Sequence, residues 1–188
     1  MKLRWFICGA LLAAFLQSAA LAKIIYDRAQ LLQNGTEVLL QTGMLDPRDL
    51  FRGHYVTLNL RISRIPAESV EVVGELTYRE PVYVSLKLDP ETGFWVPDTL
   101  YAKRPENSDA PIIAGKMGWI SGQEAEIENY RVSFPVDRFF AEKERALELE
   151  NVRQGNALGV IVALAEDGSS AIKGISVRGE LIYSEPIY

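Results

Sequence analysis

The run from Trp5 to Ala22 limits this chain's options more than any other segment. It carries no charge and is broken only by Gln17 and Ser18. About 20 apolar residues are enough to cross a bilayer, and in lipid the backbone must satisfy its own N–H and C=O groups. Such a run therefore either spans as a helix or is removed as a signal. Lys2 and Arg4 precede it and hold that end in the cytoplasm. Ala20-Leu21-Ala22 before Lys23 has the small-x-small form of a cleavage site. Beyond it, Ile24, Ile25, Arg28, Leu31 and Leu32 recur at helical spacing. The helix is thus expected to continue as an amphipathic stalk and to stop at Asn34-Gly35, where glycine tolerates a left-handed conformation. This continuity favours a retained anchor and stalk over residues 1–34, with lipid contact through residues 5–22. The body, residues 35–188, then lies outside the cytoplasm, on the inner membrane of a bacterium with two membranes and facing its periplasm. Signal cleavage is the alternative, and it would release the same body into that compartment.

The 188 residues suffice for a domain with a sizeable core. The formal net charge of −5 is spread along the chain and forms no phosphate-binding face, which argues against nucleic acid as a partner. Cys8 is the single cysteine and lies within the apolar run, so an intrachain disulfide is excluded. With one histidine, His54, and one thiol, zinc, copper and haem sites of the usual kind lack ligands, and no Asp-rich EF-hand loop is present. No cofactor is expected.

From Thr36 onward the pattern is mostly β. Glu37 to Thr42 reads as a strand. From Tyr55 to Ile62 apolar and polar residues alternate, giving one apolar face. Val70 to Val73, Val82 to Leu88 and a strand beginning at Phe94 follow, with Asp89 to Gly93 as a hairpin connection. Pro97 marks an edge or a strand end. Pro111 to Ile120 is a strand whose Gly115 and Gly118 suggest a bulge. Glu124 to Phe134 adds weaker strand signals. Pro135 and Asp137 predict a helix start, with Phe139, Phe140, Lys143, Ala146, Leu147 and Leu149 at helical spacing up to Glu150. Ala157 to Ala165, Ala171 to Val177 and Leu181 to Tyr183 close the chain as a meander. The expected fold is mainly β with one inserted helix: an antiparallel sheet, or a partly open barrel or sandwich, behind an N-terminal transmembrane helix.

Three segments carry a resemblance. Gly53-His54-Tyr55-Val56-Thr57-Leu58-Asn59-Leu60 follows the polar stretch Asp46-Pro47-Arg48-Asp49-Leu50-Phe51-Arg52. Tyr130 to Glu150 joins an aromatic pair to an acidic stretch, and Ala171 to Gly179 looks like a terminal hairpin. In this order they resemble the GDYXXLXY proteins, small membrane-anchored bacterial proteins named after their motif. Gly53, Tyr55 and Leu58 match that motif; His54 stands in place of Asp, and Leu60 in place of the final Tyr. The resemblance implies a retained anchor and an integral membrane protein as partner. It implies no reaction.

The residue types admit other readings. Asp46, Arg48, Asp49 and Arg52 could contact a partner or an anionic ligand, but a turn explains them more simply: Asp46 caps it, Pro47 presets φ, and Gly53 supplies a conformation that side chains disfavour. His54 has no nucleophile-elbow sequence to serve. Ser63 beside Arg64, and Ser85 beside Lys87, raise a serine–lysine hydrolase reading. Trp95, Tyr101, Trp119, Tyr130, Phe139 and Phe140 could line a groove, although aromatics of this size usually fill a core. No catalytic residue is assigned. The reading is a non-enzymatic extracytoplasmic accessory to a membrane protein, with an envelope- or ligand-binding domain, and then a hydrolase, as alternatives.

Overall fold

The computed structural model describes residues 2–42, 55–57, 59–123, 126–140, 158–177 and 180–185. The chain opens with one helix, α1 (Lys2–Asn34), of 33 residues. Twelve described strands follow: β1 (Thr36–Gln41), β2 (Tyr55–Thr57), β3 (Arg64–Pro66), β4 (Glu71–Val73), β5 (Pro81–Leu88), β6 (Trp95–Tyr101), β7 (Ile112–Gln123), β8 (Glu126–Ser133), β9 (Arg138–Phe140), β10 (Leu158–Leu164), β11 (Ser170–Val177) and β12 (Glu180–Ser184). The fold is mainly β, with antiparallel sheets and a curled, half-barrel sheet, as the alternation in the sequence requires.

A four-stranded sheet has the order β1-β10-β11-β12, and a six-stranded sheet the order β3-β8-β7-β5-β6-β4. Their inner faces share one core. Val38, Leu40, Val160, Val162 and Ile175 come from the first sheet; Ile65, Val82, Val84, Leu86, Leu100, Ile113, Met117 and Val132 come from the second. β10 reads as a continuous apolar run, LGVIVAL, and most of β10 and β11 is buried because both faces are covered. The core takes one side. On β10 and β11, Ala163 pairs with Ala171, and both are buried without joining the core cluster. The end of α1 packs on these two strands, with Leu32 buried and Gly35 seated against Ala163.

Gly35 ends the helix for a different reason from the one its type suggests. It is not among the positive-φ glycines. Its N–H donates to the Leu31 carbonyl at 2.9 Å, and a Cβ there would come within 2.5 Å of that same oxygen and 3.0 Å of the Leu164 carbonyl. Close backbone approach, not conformation, demands glycine. The stalk is also less amphipathic in use than its spacing suggests: Ile24 and Ile25 are 65% and 61% exposed, and burial begins with Ala29, Leu31 and Leu32.

Two further expectations are corrected. The alternating strand does not run unbroken from Tyr55 to Ile62. β2 covers Tyr55–Thr57, Asn59 lies in no strand, Leu60 forms an isolated bridge with Thr42, and Arg61–Ser63 is a 3-10 turn closed by Ser63 N–H on the Leu60 carbonyl. That turn buries Ile62 and brings Ile65 onto β8. The helix expected from Pro135 does not begin there. The Asp137 carboxylate accepts from the Phe134 N–H at 2.8 Å, closing a turn backward rather than capping a helix forward, and residues 138–140 form β9 instead. Residues 141–150 of that expected helix lie outside the described residues, as does the Gly53 turn. The suspected bulge in β7 is present. Between Met117 and Ile120 the register with β8 slips, so Gly118 and Trp119 together oppose Arg131. Pro97 lies beside a second slip, where β6 no longer pairs with β4.

Candidate functional site

β2 carries the middle of the motif, Tyr55 to Thr57, and its partner is β9. Tyr55 faces Phe140, Val56 faces Phe139 and Thr57 faces Arg138. Two segments far apart in sequence, each singled out by resemblance, are thus a single two-stranded ladder. Nothing local in the sequence specifies this pairing.

A hydroxyl–carboxylate knot fixes the ladder to the core. Ser63 Oγ donates to Asp137 Oδ1 at 3.2 Å, and Ser133 Oγ to Asp137 Oδ2 at 3.4 Å. The same Oδ2 accepts the Phe134 N–H, and the Asp137 N–H donates to the Phe134 carbonyl at 3.2 Å. Leu60, Ile62, Phe134 and Val136 are buried around this knot. Asp137→Ala is expected to cost about 1–3 kcal/mol, because it leaves a half-buried N–H and two hydroxyls without their charged acceptor. Equilibrium denaturation checks this, and Asp137→Asn should recover part of the loss. A silent Asp137→Ala would show that the knot carries no load.

Of the motif residues, Leu60 is a core side chain and Tyr55 lies in β2. Gly53, His54 and Leu58, and the contact candidates Asp46, Arg48, Asp49 and Arg52, lie outside the described residues. The hydroxyls weighed for hydrolysis are engaged structurally. Ser63 is held by Asp137. Ser85 is buried against Thr99, accepting its N–H at 3.1 Å, while Lys87 pairs with Asp98 at 2.8 Å. Tyr130 is buried, and Trp95 and Tyr101 are half-buried. Trp119 stands apart at 70% exposure, a surface aromatic that its residue type would assign to the core.

A cleft of about 1140 Å³ opens where α1 meets the body. Asp27, Arg28, Leu31 and Asn34 of the helix form one wall; the 104–112 loop and the Glu166–Ser169 turn form the other. Arg104 donates to the Glu166 carbonyl at 2.7 Å and ties the loop to the turn. The Ser169 hydroxyl and N–H, and the nearby Arg104 charge, hold the Asp167 carboxyl below its usual range. The Thr92 hydroxyl and the Glu91 N–H do the same for Asp89 in its hairpin. A lowered carboxyl suits a turn cap rather than a general acid. Among the described residues no group of three His, Cys, Asp or Glu side chains could hold a metal ion.

The model of the family described as GDYXXLXY protein matches residues 17–175. The chain belongs to the GDYXXLXY family. The match enters the family pattern within the apolar run of α1 and extends through most of β11. It therefore takes in the β2–β9 ladder, the Asp137 knot and the cleft. No curated protein and no solved structure matches the chain significantly. The α1 segment Ile7–Asn34 is long and apolar enough, with a mean hydropathy of 1.8, to span a membrane or to act as a signal.

Proposed function

We propose that this GDYXXLXY protein is a single-pass inner-membrane protein whose β body lies in the periplasm and serves as a non-enzymatic accessory to an integral membrane protein. The observation that supports the anchored part of this reading is the continuity of α1; the accessory role rests on the resemblance to the family. Its apolar part is wholly uncovered, yet its last turn is built into the body through Leu32 and Gly35. Bare apolar surface continues past Lys23 through Ile24 and Ile25 to Tyr26. From Trp5 to Tyr26 at about 1.5 Å per residue the helix covers roughly 30 Å, the thickness of the hydrocarbon layer, with an aromatic residue at each end. Lys23 pairs with Asp27 at 2.6 Å, and its long stem can reach the interface. The basic N-terminal end supports the orientation. The same geometry supports the two-part division at residue 34.

The expected result is that the chain sediments with membranes, resists alkaline extraction and keeps its N-terminus in the mature protein. Intact-mass measurement decides. A new N-terminus at Lys23 would replace the anchor with a soluble periplasmic domain. The polar cleft at the helix base favours one alternative, an envelope- or ligand-binding domain; saturable binding of a small envelope component, abolished by Arg104→Ala, would move the reading there.

A further inference from the structure

Across three strands of the six-stranded sheet runs a rung that the fold itself does not explain. Arg64 on β3 lies directly opposite Arg131 on β8. Both are exposed, and among the described residues neither makes an ion pair or a side-chain hydrogen bond. Like charges facing each other across an antiparallel pair destabilise it. The chain has 25 acidic residues, so an opposite charge was at hand.

The β7 bulge continues the rung. Gly118 and Trp119 together oppose Arg131, and a Cβ at position 118 would sit 3.7 Å from Arg131 Cγ, on the same side of the sheet as that side chain. Met117, Val132 and Tyr130 point inward and are buried, so the rung belongs to the outer face. One step along, Lys116 faces Ser133; both are exposed, and Lys116 also has no ionic partner among the described residues. Bulges re-aim side chains, and this one adds an exposed indole to a row of exposed cations.

We propose that the outer face formed by Arg64, Arg131, Lys116 and Trp119 docks an acidic segment of the membrane protein partner. The inference rests on the accessory reading and gives the partner's chemistry. Arg and Trp, with Tyr, are enriched among the anchoring residues at protein interfaces. Paired guanidiniums bind carboxylates bidentately, and a counter-charge from outside relieves the repulsion the sheet carries alone. A bilayer fits less well: three cations form a small basic patch, and the body as a whole is acidic, so anionic lipid would repel most of its surface.

Arg64→Glu is the informative variant, because it gives Arg131 an internal partner and removes the docking charge without threatening the fold. With the full chain in detergent micelles, a short fluorescent peptide rich in Asp and Glu should bind, more weakly as salt rises. Arg64→Glu should weaken it about tenfold or more, with the melting temperature unchanged or higher. In cells, a photo-crosslinking residue at position 119 should trap an acidic segment of an integral membrane protein, and Arg64→Glu should abolish the product. Equal peptide binding by parent and variant overturns the proposal, as does binding of phosphatidylglycerol vesicles in preference to the peptide. Crosslinking of a membrane protein from exposed Leu88 or Tyr78 but not from position 119 overturns this face and leaves the accessory reading standing. Failure to trap a membrane protein from any of the three positions overturns the accessory reading itself.

Discussion

Leu40→Ala is expected to destabilise the body by about 2–5 kcal/mol, the range for emptying a closed aliphatic site. Leu40 has no exposed surface and lies opposite Val160 in the β1–β10 ladder. It faces a core built from two sheets, so a cavity there is bounded by regular strands that cannot easily collapse into it. β1 directly follows α1 and lies at the edge of its sheet, and among the described residues its one ladder is with β10. For a chain of this size each kcal/mol moves the midpoint by roughly 2–4 °C, so the variant should melt roughly 5–20 °C below the parent. Thermal and denaturant unfolding of the full chain in detergent are the measurements. A loss under about 1 kcal/mol would mean that the site repacks and that β1 is not a full member of the core.

The same strand shows what the sequence could and could not convey. Where burial is set by alternation or by a continuous apolar run, the pattern is local and readable: Val82 to Leu88 and Ala157 to Ala165 fall within a residue or two of β5 and β10. Turn chemistry is equally local. Gly93 and Gly168 both take positive φ, 73° and 87°, in the connections where their types place them. The Gly118 bulge was legible because glycine inside a strand has few other uses. Partners were not legible. That β2 finds β9, that β4 lies parallel to β6, and that Ser63 reaches Asp137 depend on how the sheets stack, which no periodicity encodes. The segment after Pro135 misled for a related reason. Phe139 and Phe140 fit a helical stripe, but adjacent aromatics also suit a strand, and Asp137 turns its carboxylate back to Phe134. The motif could be recognised as a family mark without disclosing a role, since Leu60 is core. The Arg64–Arg131 rung emerges only once the register of β3 on β8 is known.

Gly35→Val should loosen the joint between helix and body, at a cost of about 1–3 kcal/mol. Its Cβ would lie 2.5 Å from the Leu31 carbonyl, 3.0 Å from the Leu164 carbonyl and 3.1 Å from Ala163 Cβ. Two of these are backbone atoms, and one belongs to the helix's own last turn, so a rotamer change cannot relieve the clash. Either α1 lifts from β10 or its final hydrogen bond, Gly35 N–H to Leu31 at 2.9 Å, opens. Both movements expose Leu32, now 4% exposed. The damage should stay local, because Val38 and Leu40 belong to a core that the joint does not enter. Amide exchange should therefore quicken in residues 29–36 while the amides of β5 and β7 keep their protection. If the anchor is retained, this rigid joint also sets how the body stands over the bilayer, and with it the direction in which the Arg64–Arg131 face looks. The crosslink from position 119 should then fall in Gly35→Val even though every residue of that face is intact. Exchange and crosslinking that both match the parent would show that the close packing at Gly35 transmits no orientation from the helix to the sheet.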